Sequence, residues 1–165
     1  MKEQYQFKSR TDLKEIIDKL KKNYARPVNP GRHPTLYSNT VDGKYRTVMG
    51  VRVCDYIFSP DERWVLPDEQ MGLSFSATWK NLKDVYRLVT RGKDKKGNRK
   101  TADIYWLLES ADIPRNMKFV EDRDPKKKGH YFLTVTERMK VSTLVSNLEW
   151  IADRMSVIKD GSRVL

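Results

Sequence analysis

Cysteine and histidine are scarce in this chain. The sequence has one cysteine, Cys54, and two histidines, His33 and His130. An intramolecular disulfide is therefore impossible, a typical structural zinc site is excluded, and a cytosolic folding compartment is favoured. No run approaches the roughly 18 apolar residues that a membrane span needs, and the start, MKEQYQFKSR, lacks the apolar region of a signal peptide. We expect a cytoplasmic protein with no required metal and no membrane partner, and export into a target cell by another route stays open.

Positive charge is what the chain has in excess. Lys and Arg number 33 against 22 Asp and Glu, a formal net charge of +11. An excess of this size favours a polyanionic partner such as RNA or DNA, although an acidic protein or merely a solvated surface would also fit. Two segments concentrate the charge, namely Arg91–Lys100 and Lys126–Lys128. Gly92 and Gly97 have the interval of a phosphate loop, but Asn98-Arg99 replaces the required Lys-Ser/Thr, so an NTPase is rejected.

The hydrophobic pattern predicts a single α+β domain over residues 1–165, with a mostly antiparallel sheet and flanking helices. Residues 1–33 are assigned to an N-terminal helix and connection, and residues 34–165 to the core. Predicted helices are Thr11–Tyr24, Ser76 to about Thr90 with Ser76 as N-cap, and Ser142 to about Val157. Predicted strands are Thr35–Val41 and Lys44–Phe58 around an Asp42-Gly43 turn, Gly72–Ser76, Thr101–Leu108, Asn116–Glu121 and a run from His130. Three prolines make Arg26–His33 an expected irregular connection, and Ser59–Gln70 an expected loop.

Residue types alone leave several chemistries open. No Gly-x-Ser-x-Gly nucleophile elbow is present, yet Ser74, Ser76 and His130 leave a Ser/His/Asp triad possible. A metal-independent ribonuclease needs a base, an acid and a cation for the phosphate. His130 with neighbouring Lys or Arg can supply those groups, but no spacing marks them.

One stretch, Asp112–Met139, carries a family resemblance. It has Asp112-Ile113-Pro114, then Asn116-Met117-Lys118 and Asp122, then His130-Tyr131 followed at nine residues by Met139. With Thr35-Leu36-Tyr37, Tyr56–Pro60 and Gly72-Leu73-Ser74 upstream, residues 37–155 resemble the type VI secretion effector toxin family whose fold is that of ADP-ribosyltransferases. The chain departs from that family at Leu108–Ala111, where Pro and Gly are frequent, and at Ser38, where Arg is typical.

The resemblance implies an ADP-ribosyltransferase-like split sheet and NAD as co-substrate. It assigns NAD binding to Tyr37, Arg46, Ser74, Ser76, His130 and Tyr131, with Arg52 as a second choice for the cation that meets the diphosphate. The tyrosines would hold nicotinamide and its ribose, the serines a strand wall, and His130 the adenosine or diphosphate. Tyr105 stands where the family's catalytic acid is expected, so either Asp103 or Glu109 would replace that acid, or catalysis would rely on binding and orientation without it.

The leading hypothesis is an NAD-dependent ADP-ribosyltransferase toxin that modifies a cellular macromolecule. The net charge favours a nucleic acid, above all RNA, as acceptor, and such a toxin implies an acidic antitoxin or immunity protein. The toxin would act either in a rival cell after secretion or inside the producing cell as a defence. The alternatives are a metal-independent ribonuclease toxin and a non-catalytic basic module that binds nucleic acid.

Overall fold

The computed structural model describes residues 23–38, 46–108 and 113–163. Within these ranges the helices are α1 (Trp79–Val89) and α2 (Val141–Arg154). The strands are β1 (Asn23–Val28), β2 (Thr47–Val48), β3 (Val51–Arg52), β4 (Ile57–Phe58), β5 (Trp64–Leu66), β6 (Leu73–Ser76), β7 (Asp103–Leu108), β8 (Met117–Glu121), β9 (His130–Val135), β10 (Met139–Lys140) and β11 (Ser156–Ile158).

The main sheet has six strands in the order β11-β7-β1-β6-β9-β8. Every neighbouring pair in it is antiparallel. A three-stranded sheet, β10-β5-β4, and the small β2-β3 pair complete the described strands. The protein is therefore a small α+β domain with antiparallel sheets and two described helices, as the spacing of the strands predicts.

Each face of the main sheet has its own core. The side chains of α1 pack with alternate residues of the central strands, in a cluster of Ala25, Leu82, Tyr86, Ala102, Ile104, Trp106 and Ile158. The larger core on the other face includes Tyr24, Leu73, Phe75, Leu107, Leu133 and the α2 residues Leu144, Leu148 and Ile151. Successive strand residues point to opposite faces of a sheet. The positions of these clusters therefore determine the face on which each remaining strand residue lies.

Several predicted elements are confirmed with adjusted ends. The 72–76 and 101–108 strands are β6 and β7, and the hairpin after Asn116 is β8-β9. The helix predicted from Ser76 begins later, because its N-cap is Thr78, whose Oγ1 accepts from the Asn81 amide at 3.2 Å. The last helix ends at Arg154 rather than Val157, because β11 pairs with β7.

The irregular connection predicted over Arg26–His33 is wrong at its start. Asn23–Val28 is a strand in the middle of the main sheet, paired with β7 along all 6 of its residues. Pro27 fits there because its fixed φ suits an extended chain, and β1 pairs with β6 only at Ala25 and Ser76. Asn23 and Tyr24, at the end of the predicted helix Thr11–Tyr24, are strand residues instead, and the part of that helix before Asn23 lies outside the described residues.

The predicted β segments and loop between Thr35 and Gln70 also need correction. Thr35–Ser38 is not a strand, and the Asp42-Gly43 turn lies outside the described residues. The Lys44–Phe58 run is divided by a turn at Met49-Gly50, where both residues have positive φ, 53° and 91°. The Ser59–Gln70 segment contains β5, which pairs with both β4 and β10. No helix within the described ranges is long and apolar enough to cross a membrane.

Candidate functional site

The sheet divides the predicted NAD-binding residues between its two faces. Ser76 lies opposite His130, and Ser74 lies opposite Phe132. Residues directly opposite in an antiparallel pair share a face, so Ser74, Ser76 and His130 belong to the α1 face. Tyr131, Tyr37 and Tyr105 instead pack against the α2-side core. The single pocket expected from the sequence is therefore not formed by these residues.

A buried arginine lies on the α2 side, at the centre of the sheet. Arg26 is only 9% exposed, and its Nη2 donates to the hydroxyl of Tyr37. Its guanidinium carbon lies 5.7 Å from the ring centroids of both Tyr37 and Phe75. Arg52 covers the Tyr37 ring with its guanidinium carbon 3.5 Å from the centroid. We call Arg26, Tyr37, Arg52 and Asp55 the arginine centre.

Arg26 has hydrogen-bonding capacity that the protein does not use. Its Nε and Nη1 are buried and have no hydrogen-bond partner among the described residues. Buried polar groups are nearly always paired, and an unpaired one costs about 1–3 kcal/mol. The fork of guanidinium donors matches a carboxylate or phosphate, so an anion that reached these buried atoms would pair them. The arginine centre is therefore suited to an anionic ligand.

Asp55 brings a carboxyl group into the same electrostatic neighbourhood. Burial raises the pKa of Asp55, while the positive charges of Arg26 and Arg52 act in the opposite direction. The Asp55 amide donates to the Arg52 carbonyl at 3.0 Å, which ties the two residues into one turn. A carboxyl with a raised pKa beside cations is a typical candidate for proton exchange with a ligand. Nothing in the sequence pattern marked it.

The predicted catalytic acids have different surroundings. Asp103 is 5% exposed and accepts from the Asp160 amide at 2.9 Å and from Lys159 Nζ at 3.3 Å. Both of its carboxylate oxygens thus hold the turn that follows β11. Tyr105 lies directly opposite Arg26 and shares its face. Glu109 lies outside the described residues.

Arg46, the predicted partner of the NAD diphosphate, is occupied elsewhere. Its guanidinium pairs with Glu62 through two hydrogen bonds, one of them 2.9 Å from Nη1 to Oε2. The Arg46 side chain is 59% exposed in that pair. Arg26 and Arg52 provide the cations at Tyr37 instead.

The α1 face carries a second polar arrangement, the histidine dyad of Asp122 and His130. His130 Nδ1 lies 2.8 Å from Asp122 Oδ2, with side chains 13% and 9% exposed. The other Asp122 oxygen accepts from the Asp124 amide at 2.9 Å. Burial opposes ionisation of Asp122, but the hydrogen bonds from the Asp124 amide and His130 outweigh it and lower its pKa. The His130 ring also stands edge-on to Phe132, with centroids 4.7 Å apart.

Ser76 does not join this dyad as a nucleophile. Its hydroxyl donates to Asn81 Oδ1 at 2.5 Å. Within the described part of the chain, Ser76 forms no hydrogen bond to His130 although the two residues face each other across the strands. Ser74, on the same face, also forms no hydrogen bond to His130 among the described residues, so the Ser/His/Asp triad left open by the sequence is not assembled there.

The two basic segments are exposed turns. Residues 91–100 are all exposed, and Asp94 Oδ1 accepts from the amides of Lys96 and Asn98 at 2.9 and 2.8 Å. The lysines at 126–128 are also exposed, beside a short 3-10 turn capped by Asp124. These turns present ammonium groups to solvent, as a phosphate-binding surface requires. No His, Cys, Asp and Glu grouping that could hold a metal ion occurs among residues 23–38, 46–108 and 113–163.

The sequence pattern does not identify Arg26 as a functional candidate, because the nearby prolines predict an irregular connection there. A signal was available, since the residue before a proline is biased toward extended backbone.

Comparison with known proteins supplies no relative: no family model matches the chain, and neither the curated proteins nor the solved structures contain a significant match.

Proposed function

We propose that the protein is an NAD-dependent ADP-ribosyltransferase, with the ADP-ribosyltransferase-like sheet that its sequence resembles. The observation that carries the proposal is Arg26, a buried guanidinium with two unpaired donor atoms beside an aromatic ring. A dinucleotide offers a diphosphate for the cations and aromatic rings for the tyrosines. NAD is such a ligand, and it is the co-substrate of the family that the sequence resembles.

The arginine centre has a role for each part of NAD. Once side-chain movement opens its buried Nε and Nη1 to a ligand, Arg26 would bind a diphosphate oxygen through them, and Arg52 would add a second positive charge. The Arg52 guanidinium covers one face of Tyr37, so the opposite face would be the one that stacks on a nucleotide ring. Tyr105, opposite Arg26, and Tyr131, opposite Phe75, would extend this aromatic wall.

ADP-ribosyl transfer needs little acid–base chemistry and much positioning. The bond between the nicotinamide nitrogen and ribose C1′ breaks, nicotinamide leaves with the bonding electrons, and C1′ passes through an oxocarbenium-like state. An acceptor hydroxyl or amine then bonds to C1′ and gives up a proton. We assign Asp55 to receive that proton, because its pKa is raised and the charges of Arg26 and Arg52 act on its carboxyl.

The acceptor favoured by the charge distribution is a nucleic acid, above all RNA. The net charge is +11, and the exposed turns at 91–100 and 126–128 carry much of the basic surface. The same charge suits restraint by an acidic antitoxin. These features support a toxin that modifies RNA inside a cell.

Isotope-labelled NAD tests the proposal with RNA, DNA and cell lysate as acceptors. We expect label on RNA and release of nicotinamide. Arg26→Lys keeps the charge but loses the planar fork, so turnover should fall by a factor of about 10 to 150, the equivalent of about 1.5–3 kcal/mol for a charged hydrogen bond. Arg154→Lys, at an exposed arginine stacked on Trp150, is the matched control and should keep full activity. Folded protein that neither consumes NAD nor labels any acceptor would refute the proposal.

A further inference from the structure

The histidine dyad is arranged as an acid–base group, and not only as a structural hydrogen bond. Asp122 is held on one oxygen by the Asp124 amide and on the other by His130 Nδ1. Because the pKa of Asp122 is lowered, its carboxylate accepts from Nδ1–H. The neutral ring then has its lone pair on Nε2.

The other ring nitrogen is left available. His130 Nε2 forms no hydrogen bond to any residue in the described ranges, and it is not among their buried polar atoms without a partner. Packing against Phe132 and pairing with Asp122 fix the ring direction. A base with fixed tautomer and fixed direction is what general acid–base catalysis requires.

The surroundings of the dyad select a phosphate-containing substrate. The turn between Asp122 and His130 contains Arg123 and the exposed lysines 126–128, and the charge of Lys127 acts on the Asp122 carboxyl. Ser76 is committed to Asn81 and is therefore not available as a nucleophile. RNA brings its own nucleophile, the ribose 2′-hydroxyl, next to each phosphodiester.

We propose that the histidine dyad is a second active centre, which cleaves RNA without NAD or metal. His130 Nε2 takes the proton of the 2′-hydroxyl, and O2′ bonds to phosphorus. The bond from phosphorus to O5′ breaks, and the leaving O5′ takes a proton from water. The protonated His130 then gives its proton to the resulting hydroxide, which restores the neutral ring. The products are a 2′,3′-cyclic phosphate and a 5′-hydroxyl end. His130 is the catalytic residue, Asp122 positions it, and the cationic turn binds neighbouring phosphates.

The test uses the full chain with a fluorescent RNA oligonucleotide, a chelator and no NAD. We expect fragments with 2′,3′-cyclic phosphate ends, and none from DNA or from 2′-O-methyl RNA of the same sequence. His130→Asn should lower kcat at least about 100-fold. Asp122→Asn would favour the His130 tautomer that is protonated at Nε2, so it should lower kcat with little change in KM. His33→Gln is the matched control, since His33 lies in an exposed loop, and it should cut at the wild-type rate.

Three results would overturn the proposal. They are folded wild-type protein that leaves RNA intact, cleavage of 2′-O-methyl RNA, and full activity in a folded His130→Asn sample. If that variant does not fold, the 2′-O-methyl substrate and Asp122→Asn still decide the matter. Because NAD is absent from every arm, the result is independent of the proposed ADP-ribosyl transfer.

Discussion

Replacing Arg26 by methionine should cost the protein little stability or increase it, and under the proposed function it should abolish NAD binding. Methionine fills a similar volume without charge, so the two buried unpaired donor atoms disappear. At about 1–3 kcal/mol for each unpaired group, that change favours the variant by roughly 2–6 kcal/mol. The lost hydrogen bond to Tyr37 costs about 1.5–3 kcal/mol, because its donor is charged. The variant should lie between about 1 kcal/mol less stable and about 4 kcal/mol more stable than the wild type.

Urea denaturation measures this difference through the shift of the midpoint at constant slope. Tyr37→Phe is the complementary variant, because it keeps Arg26 and removes the hydroxyl that accepts from it. This variant should destabilise the protein by about 1–3 kcal/mol. Titration with NAD should show no binding to Arg26→Met. A loss of more than about 2 kcal/mol in Arg26→Met would refute the reasoning, since it would show that Arg26 is an ordinary structural residue. Binding sites commonly keep groups that lower the stability of the protein because those groups are needed for function.

Three further predictions concern the scaffold and the dyad. Gly72→Ala should destabilise by about 3 kcal/mol or more in urea denaturation, because its Cβ would lie 2.3 Å from the Leu133 carbonyl oxygen in a backbone with φ of 156°. Tyr56→Phe should cost about 1–3 kcal/mol of unfolding free energy, since the buried hydroxyl donates to the Leu133 carbonyl at 2.8 Å and accepts from the Leu73 amide at 3.3 Å. The folded pKa of Asp122 is depressed, so its contribution is present above the ordinary value of 3.8 and is lost as the pH falls through the folded pKa. Asp122→Asn should therefore flatten the acid side of a stability-against-pH curve, and an unchanged curve would contradict that assignment.

The sequence predicted the parts of the fold whose periodicity is strong and local. The two described helices and the β8-β9 hairpin follow from apolar spacing within one segment. The position of β1 does not follow from local spacing. Asn23–Val28 becomes a strand by pairing with β7 and β6, which are distant in sequence. Three prolines near it pointed to a loop, and tertiary pairing outweighed that local signal.

The site was harder to predict for the same reason. The sequence pattern groups His130 with Tyr131, yet neighbours on a strand point to opposite faces, so the two side chains have different surroundings. Arg26, Arg52 and Asp55 come together only after β1 enters the sheet and the turn after β3 closes. Asp103 looked like an available acid in the sequence, but the turn after β11 uses both of its oxygens.

The Arg26 side chain itself provides the most direct measurement of the central claim. Its Nε–H resonance, assigned by its absence in Arg26→Lys, can be followed by NMR during titration with NAD, ADP-ribose and adenosine. If the arginine centre binds the diphosphate, the resonance moves saturably with NAD and with ADP-ribose and stays in place with adenosine, which lacks phosphate. A resonance that stays unchanged at saturating NAD would contradict the assignment of the NAD site to Arg26.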